Sequence, residues 1–280
     1  MNIKKAVDEA CLILKKSNIK NPKLDTEILM SEVFQEDRKF IILNLEKKIE
    51  KESFNQYFNL IKQRSFGKPV AYLIKKKYFW KHEFEISNDV LIPRPDTEII
   101  IDKTLKLIKH KSKLKVLDIG VGSGCILLSL LSEKKDFYGV GIDLSKKCID
   151  LSKKNSLKLG LKDRVKFYKS DVDNFRYGKY DLIISNPPYI KRFNLRYLDR
   201  DVINFEPKIA LDGGIDGLSE IKKVIKKSSE LIKKNGKLIL EIGFDQKEKV
   251  KKILISKGFY INKVFKDYSK NDRCIISTKI

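Results

Sequence analysis

The spacing of apolar residues changes character twice along the chain. From Ile3 to about Lys75 apolar positions recur at helical intervals: Ala6, Ala10 and Leu14, then Leu24, Ile28 and Leu29, then Phe54, Phe58 and Ile61. This predicts a small helical bundle over residues 1–75, without strands. Between Tyr78 and Ile92 the period shortens to alternation through Trp80, His82, Phe84 and Ile86, and Asn88-Asp89 supplies a turn signal before Val90-Leu91-Ile92. A linking β-hairpin over residues 76–93 is expected. From residue 94 to 280 strand-like runs alternate with helical stretches. The strands are Lys115–Ile119, Phe137–Asp143, Val165–Tyr168, the run Leu182-Ile183-Ile184, Lys237–Ile242, Tyr260–Lys266 and Cys274–Lys279; helices start at Cys125, Lys146 and Gln246, and another covers Leu218–Lys233. That order predicts an α/β fold, a doubly wound and mostly parallel seven-stranded sheet. Only about seven residues separate the last two strands, too few for a helical crossover, so they should pair antiparallel.

Composition narrows the class without naming a function. A chain of 280 residues with 42% hydrophobic content can bury one large core and a smaller one. The longest apolar runs, Cys125–Leu131 and Lys237–Ile242, are far short of a membrane span, and no signal-peptide pattern is visible, so a cytoplasmic protein is expected. Cys11, Cys125, Cys148 and Cys274 show no CxxC spacing, which suggests neither a metal site nor a disulfide framework. The net charge of +23 comes from lysines spread over every segment, in pairs such as Lys15-Lys16 and Lys146-Lys147. They read as solvated helix faces, so no stable nucleic-acid complex is expected, only weak attraction to acidic partners. A monomer is expected.

Candidate chemistry lies at strand ends. In "VLDIGVGSG", Gly120, Val121, Gly122, Ser123 and Gly124 join a buried strand to a helix, where backbone N–H groups can approach a ligand. Asp143 follows roughly 20 residues later, the distance at which an acid meets a ribose; it also reads as a cap for the helix near Ser145. Asp171 and Val172 follow the third strand, where they would meet an adenine amino group and ring, although a plain turn aspartate fits equally. The fourth strand ends in "DLIISNPPYI". Adjacent prolines cannot join a sheet ladder, yet the Asn186 side chain and a proline-fixed carbonyl offer two acceptors for the hydrogens of a planar –NH2, with Tyr189 as a flat wall. Such a grip would aim a weakly nucleophilic nitrogen at an electrophilic methyl group, which is catalysis by orientation.

The succession of a GxGxG strand, a ribose acid and NPPY resembles the class I S-adenosylmethionine-dependent methyltransferases that modify planar amino nitrogens. More narrowly, the chain resembles the HemK/PrmC family, the release factor glutamine methyltransferases, through "LDTEIL", "RSFGKPVAYL", "FWKHEFEIS", "VLIPRPDTE", "VLDIGVGSG", "SNPPYI", "FEPKIALDGGIDGL", "EIGFDQ" and "KDYSKNDR". The resemblance implies S-adenosylmethionine as cofactor and class I peptide chain release factors as partners, methylated on the glutamine of a Gly-Gly-Gln loop. By position, Gly120 to Gly124 would surround the methionine part and Asp143 the ribose, Asn186 would also border the cofactor, and Asn186, Pro187, Pro188 and Tyr189 would hold the glutamine amide. Val172 stands where some relatives carry a large aromatic. "IPRPDTE" should lie near the active-site entrance, and the helical bundle should dock the protein substrate. The alternative is an adenine or cytosine amino-methyltransferase acting on a flipped base. His82 and His110 belong to neither motif, so a histidine base is not expected.

Overall fold

The computed structural model describes residues 1–280, which form two compact units. One contains residues 1–76 with 199–205, the other residues 77–198 with 206–280.

The first unit is helical: α1 (Ile3–Lys16), α2 (Pro22–Phe34), α3 (Arg38–Leu43), α4 (Lys51–Ser65) and α5 (Val70–Ile74). Asn2 caps α1 by accepting from the Lys5 amide, and the stripe Ile3, Ala6, Val7, Ala10 and Leu14 is buried against Leu29, Met30, Tyr57 and Ile61. A buried ion pair completes the bundle: Arg64 Nε donates to Asp25 Oδ2 at 2.7 Å. Arg64 Nη1 donates to Asp201 Oδ2 at 2.8 Å, so a helix from much later in the chain, Arg200–Phe205, belongs to this unit.

The hairpin forms, but with a different turn from the one expected. Its strands are β1 (Lys76–Phe79) and β2 (His82–Glu85), joined at Trp80-Lys81, while Val90–Ile92 is not a strand. Trp80 takes a left-handed φ of 56°, held by its amide donating to Glu98 Oε1 at 2.8 Å and its indole N–H donating to Glu133 Oε1 at 2.7 Å. Those long-range partners are invisible to an alternation pattern. Asn88-Asp89 makes only a local turn, closed by the Val90 amide on the Ser87 carbonyl.

The second unit continues with α6 (Glu98–Leu107), β3 (Lys115–Ile119), α7 (Cys125–Glu133), β4 (Tyr138–Asp143), α8 (Lys146–Lys158), β5 (Val165–Lys169) and β6 (Tyr180–Ser185). After the excursion through Arg200–Phe205, which is α9, come α10 (Ser219–Leu231), β7 (Ile232–Glu241), α11 (Lys247–Ser256), β8 (Phe259–Lys266) and β9 (Asp272–Lys279). Helix α10 stops two residues before the expected Lys233, because Ile232 already pairs with Tyr180 in the sheet. The seven strands lie in the order β5-β4-β3-β6-β7-β9-β8, parallel from β5 to β7 and antiparallel at β7/β9 and β9/β8. No helix is long and apolar enough to cross a membrane.

Register decides what meets at the sheet's carboxyl edge. Ile142, Ile119, Ser185 and Leu240 form one row across β4, β3, β6 and β7. The next residues, Asp143, Gly120, Asn186 and Glu241, therefore emerge side by side. Ser185 reinforces the row from within, its buried Oγ donating to the Ile119 carbonyl at 2.7 Å. This is the switch point between β3 and β6, where the connection after β3 runs to β4 on one side and the connection after β6 to β7 on the other, the position where open α/β sheets bind ligands.

Candidate active site

Gly120 and Gly122 follow β3 with φ of +79° and +55°, and nothing lies within 4 Å of a Cβ built on either. Any other residue would be strained there and would fill the space above the strand end. The loop's amides are not the open cradle suggested by the sequence. Gly120 and Val121 N–H both donate to the Ile142 carbonyl at 2.9 Å, Gly124 N–H to the Val121 carbonyl at 2.8 Å, and Gly122 N–H to Asp143 Oδ2 at 3.0 Å. Ser123 is buried, its carbonyl accepting from Asn155 Nδ2 at 2.9 Å.

The charged groups around this loop are acids. Asp143 Oδ1 accepts from the Ser145 amide at 2.9 Å, so the carboxylate joins the glycine loop to the end of β4. Burial raises its pKa, opposed by those two amides. The cap of α8 is Ser145, whose Oγ accepts from the Cys148 amide, so Asp143 is not engaged as that cap. On β5's side, Asp171 Oδ1 accepts from the Asp173 amide at 2.8 Å in a local turn, while the partly buried Val172 packs against the sheet core.

Sequence reasoning passed over Asp118, on β3 two residues before Gly120. It is 1% exposed, and neither carboxylate oxygen has a hydrogen-bond partner. Burial pushes its pKa up to about 7; the Leu127 amide at the start of α7 opposes the rise and the Asp143 charge adds to it. A buried carboxyl without a partner costs stability, and a cationic ligand group relieves that cost. The available signal was an aspartate inside the otherwise apolar "VLDI". Open space at two glycines, an unpartnered acid and a second acid joined to the loop together fit a cofactor with a cationic amino-acid end and a ribose.

On the other side of β3, the tetrapeptide is held at both ends. Asn186 Nδ2 donates to Thr97 Oγ1 at 3.2 Å, in the "IPRPDTE" stretch. Tyr189 is a clamped residue as well as a wall. Its hydroxyl donates to Glu241 Oε1 at 3.2 Å and accepts from Arg273 Nη1 at 3.1 Å, and its carbonyl accepts from Gln246 Nε2 at 2.9 Å. Burial and the Glu241 charge push the Tyr189 pKa well above its ordinary value. Arg273 is fixed in turn by Asp267 Oδ2, at 3.0 Å from Nε and 2.9 Å from Nη2. Burial pushes Glu241 up to about 7, against the lowering effects of Thr97, Arg273 and Tyr189.

"IPRPDTE" is secured a second time, by Arg94 Nη2 donating to Glu206 Oε1 at 2.6 Å and the Ile92 amide to Glu206 Oε2 at 3.3 Å. The "FEPKIALDGG" stretch that contains Glu206 also pairs with the chain after Tyr189: the Ile190 amide donates to the Leu211 carbonyl and the Gly213 amide to the Ile190 carbonyl. Neither histidine approaches the tetrapeptide. His82 pairs with Ser132 Oγ at 2.7 Å and His110 is exposed after α6.

Comparison with known proteins agrees with this arrangement. The PrmC N-terminal domain family matches residues 5–74, and a methyltransferase domain family matches residues 110–273. The chain is 37% identical over 279 residues to the release factor glutamine methyltransferase of Buchnera aphidicola subsp. Acyrthosiphon pisum, covering 100% of this chain and 99% of that one. It is 38% identical over 282 residues to the release factor glutamine methyltransferase of Clostridium acetobutylicum, with coverage of 100% and 99%. Among solved structures, a methyltransferase from Pyrococcus furiosus shares the fold with a TM-score of 0.52 at 18% identity, over 70% of this chain and 88% of that chain.

Proposed function

The chain belongs to the release factor glutamine methyltransferase family, and on that premise we propose that it methylates the side-chain amide nitrogen of the Gly-Gly-Gln glutamine in class I peptide chain release factors. S-adenosylmethionine, when bound, supplies the electrophilic methyl group. Asp118 would hold the cofactor's ammonium group, the Gly120–Gly124 loop its methionine part, Asp143 its ribose, and Asp171 and Val172 the border of its adenine.

The observation that carries this reading is the state of Asn186. Its Nδ2 is taken by Thr97, so Oδ1 is the end left to accept an N–H from a substrate amide. The Pro187 carbonyl, fixed by the following proline, is the second acceptor. Two such bonds hold the amide plane and aim the nitrogen lone pair, while Tyr189, clamped by Glu241 and Arg273, bounds the site. An amide nitrogen that has gained a methyl is strongly acidic and loses its proton to water or a nearby carbonyl. Proximity, alignment and fixed dipoles are then the protein's contribution, without a histidine base.

The helical unit, residues 1–75, serves as the docking module for the release factor. The protein acts as a cytoplasmic monomer and forms no stable nucleic-acid complex.

Labelled S-adenosylmethionine tests the reading directly, with a purified release factor, the same factor carrying alanine for its glutamine, and duplex DNA as acceptors. Label is expected in the intact factor alone. Label in DNA alone, or undiminished label in the alanine factor, overturns it.

A further inference from the structure

One side chain grips the backbone where it leaves the tetrapeptide. Gln246, between β7 and α11, is 2% exposed. Its Nε2 donates to the Tyr189 carbonyl at 2.9 Å and to the Gly217 carbonyl at 2.9 Å, and its Oε1 accepts from the Gly243 amide at 2.8 Å. One amide group thus joins the tetrapeptide, the "DGGIDGL" loop and the turn after β7. Its sense is fixed, because a reversed amide would set its oxygen against two carbonyls and its –NH2 against an N–H. The loop is shaped to this contact: a Cβ on Gly217 would lie 2.6 Å from the Tyr189 carbonyl oxygen and 2.7 Å from Gln246 Nε2. A side chain there would push the two apart.

The two ends of the tetrapeptide are held by different means. Asn186 continues from β6, whose Ser185 is paired on both sides in the sheet. Pro187 and Pro188 have no N–H to bond, and the next backbone pairing is that of Ile190 with Leu211 and Gly213. The path of the main chain between those anchors is set at the Tyr189 carbonyl, whose partner is Gln246. We propose that Gln246 is a positioning residue for methyl transfer, fixing through the Tyr189 main chain the Pro187 carbonyl that accepts from the substrate amide and the ring that bounds it. The Tyr189 hydroxyl bonds hold the tip of the ring, and Gln246 holds the backbone from which the ring departs. A glutamine amide suits the task, because its two N–H groups reach two carbonyls at once and its oxygen is left for the third partner. This inference rests on the glutamine-methylating reading of the same site.

Two variants test it in single-turnover methylation of a release factor at saturating S-adenosylmethionine. Gln246→Glu keeps the shape and exchanges the –NH2 for an oxygen. As a carboxylate it repels both carbonyls, and when protonated it has one O–H to donate. Its rate relative to wild type is expected to be about a hundredfold low at about pH 8, the scale of an ångström's misplacement. By about pH 6 that ratio should recover at least about fivefold as the buried carboxyl takes up a proton; division by the wild-type rate removes any titration of Asp118 and Glu241. Gln246→Met removes all three bonds and should be slow at both pH values. Calorimetry should find cofactor affinity within about threefold of wild type in each variant, since the lost contacts orient the acceptor side. Thermal unfolding sets the temperature at which each variant is folded, and His82→Ala, destabilised away from the tetrapeptide, is the control expected to keep its rate. A readout independent of turnover is the Tyr189 ring signal in protein labelled with 13C-tyrosine, identified by its loss in Tyr189→Phe. It should be displaced in Gln246→Glu at the higher pH and partly restored at the lower. A wild-type rate in folded Gln246→Met, a slow Gln246→Glu whose ratio ignores pH, or a Tyr189 signal unmoved in both variants would overturn the inference. Failure of the wild type to methylate any release factor would instead overturn the functional reading, and the Tyr189 signal would still judge the positioning.

Discussion

Asp118 and Glu241 lie toward the carboxyl ends of β3 and β7, the two strands flanking β6, and the fold treats them differently. Both are almost fully buried and both are pushed up to about 7 by burial. Asp118 has no hydrogen-bond partner for either oxygen, whereas Glu241 receives Tyr189 and faces Thr97 and Arg273. Under the proposed reading, the cofactor's ammonium group would complete the first carboxyl. The second is completed by the protein at Oε1 alone, where the Tyr189 hydroxyl donates, and its Oε2 has no partner. On that reading the cofactor side of the site would carry a stored cost, and the acceptor side would carry a clamped tyrosine.

The largest effect that sharpens this contrast is expected at Asn186. Asn186→Ala should lower the single-turnover rate by about a thousandfold or more, the scale of a lost orienting group, while calorimetry finds cofactor affinity within about threefold. Loss of cofactor binding with normal turnover at saturation would place Asn186 on the wrong side of the comparison.

Asp118→Asn should give opposite signs for stability and binding. A carboxyl whose folded pKa is raised from 3.8 to about 7 stabilises the fold fully below about pH 4 relative to higher pH. That contribution is lost as pH rises from about 4 to 7, and the penalty is complete above pH 7, at most about 4 kcal/mol from the size of the shift. Removing the charge should therefore stabilise the cofactor-free protein at pH 8, leave it nearly unchanged at pH 4, and weaken cofactor binding. Urea unfolding at the two pH values reads the first effect and calorimetry the second. Glu241→Gln should bring no comparable gain, because the Tyr189 hydroxyl donates to its Oε1. An equal gain at both positions would erase the distinction.

A smaller change is expected from Asp143→Ala, which should weaken cofactor binding by about 1.5–3 kcal/mol, the worth of hydrogen bonds to a charged group, with little change in the rate at saturation. An unchanged dissociation constant would remove Asp143 from the ribose. The smallest effects belong to the histidines. His82→Ala loses the bond to Ser132, about 1 kcal/mol of stability. Both His82→Ala and His110→Ala should keep the single-turnover rate within about threefold, as expected if general-base catalysis by histidine is absent. A large loss of rate in a folded variant would show a proton acceptor outside the two motifs.

The helical bundle, the alternating strands and helices, the glycine loop and the tetrapeptide were legible because each is a local property. Apolar spacing selects helix or strand, and glycine or proline marks where a strand must stop. Trp80 shows the limit: its turn depends on Glu98 and Glu133, so alternation alone placed the hairpin turn too late. Helix Arg200–Phe205 shows it again, since its place with the N-terminal bundle depends on Asp201 meeting Arg64.

By itself the sequence determined the fold class and the identities of Gly120 to Gly124, Asp143 and Asn186 to Tyr189 at strand ends. Tertiary structure decided which of them stand together and in what state. The row Ile142, Ile119, Ser185 and Leu240 is a matter of strand register, and only that register brings Glu241 beside Asn186. Thr97 reaches Asn186 from 89 positions away, and Arg273 reaches Tyr189 from 84. Hydrogen bonds and desolvation act over a few ångströms of space, whatever the separation along the chain, so the partners and charge states of these groups come into existence only when the chain has folded.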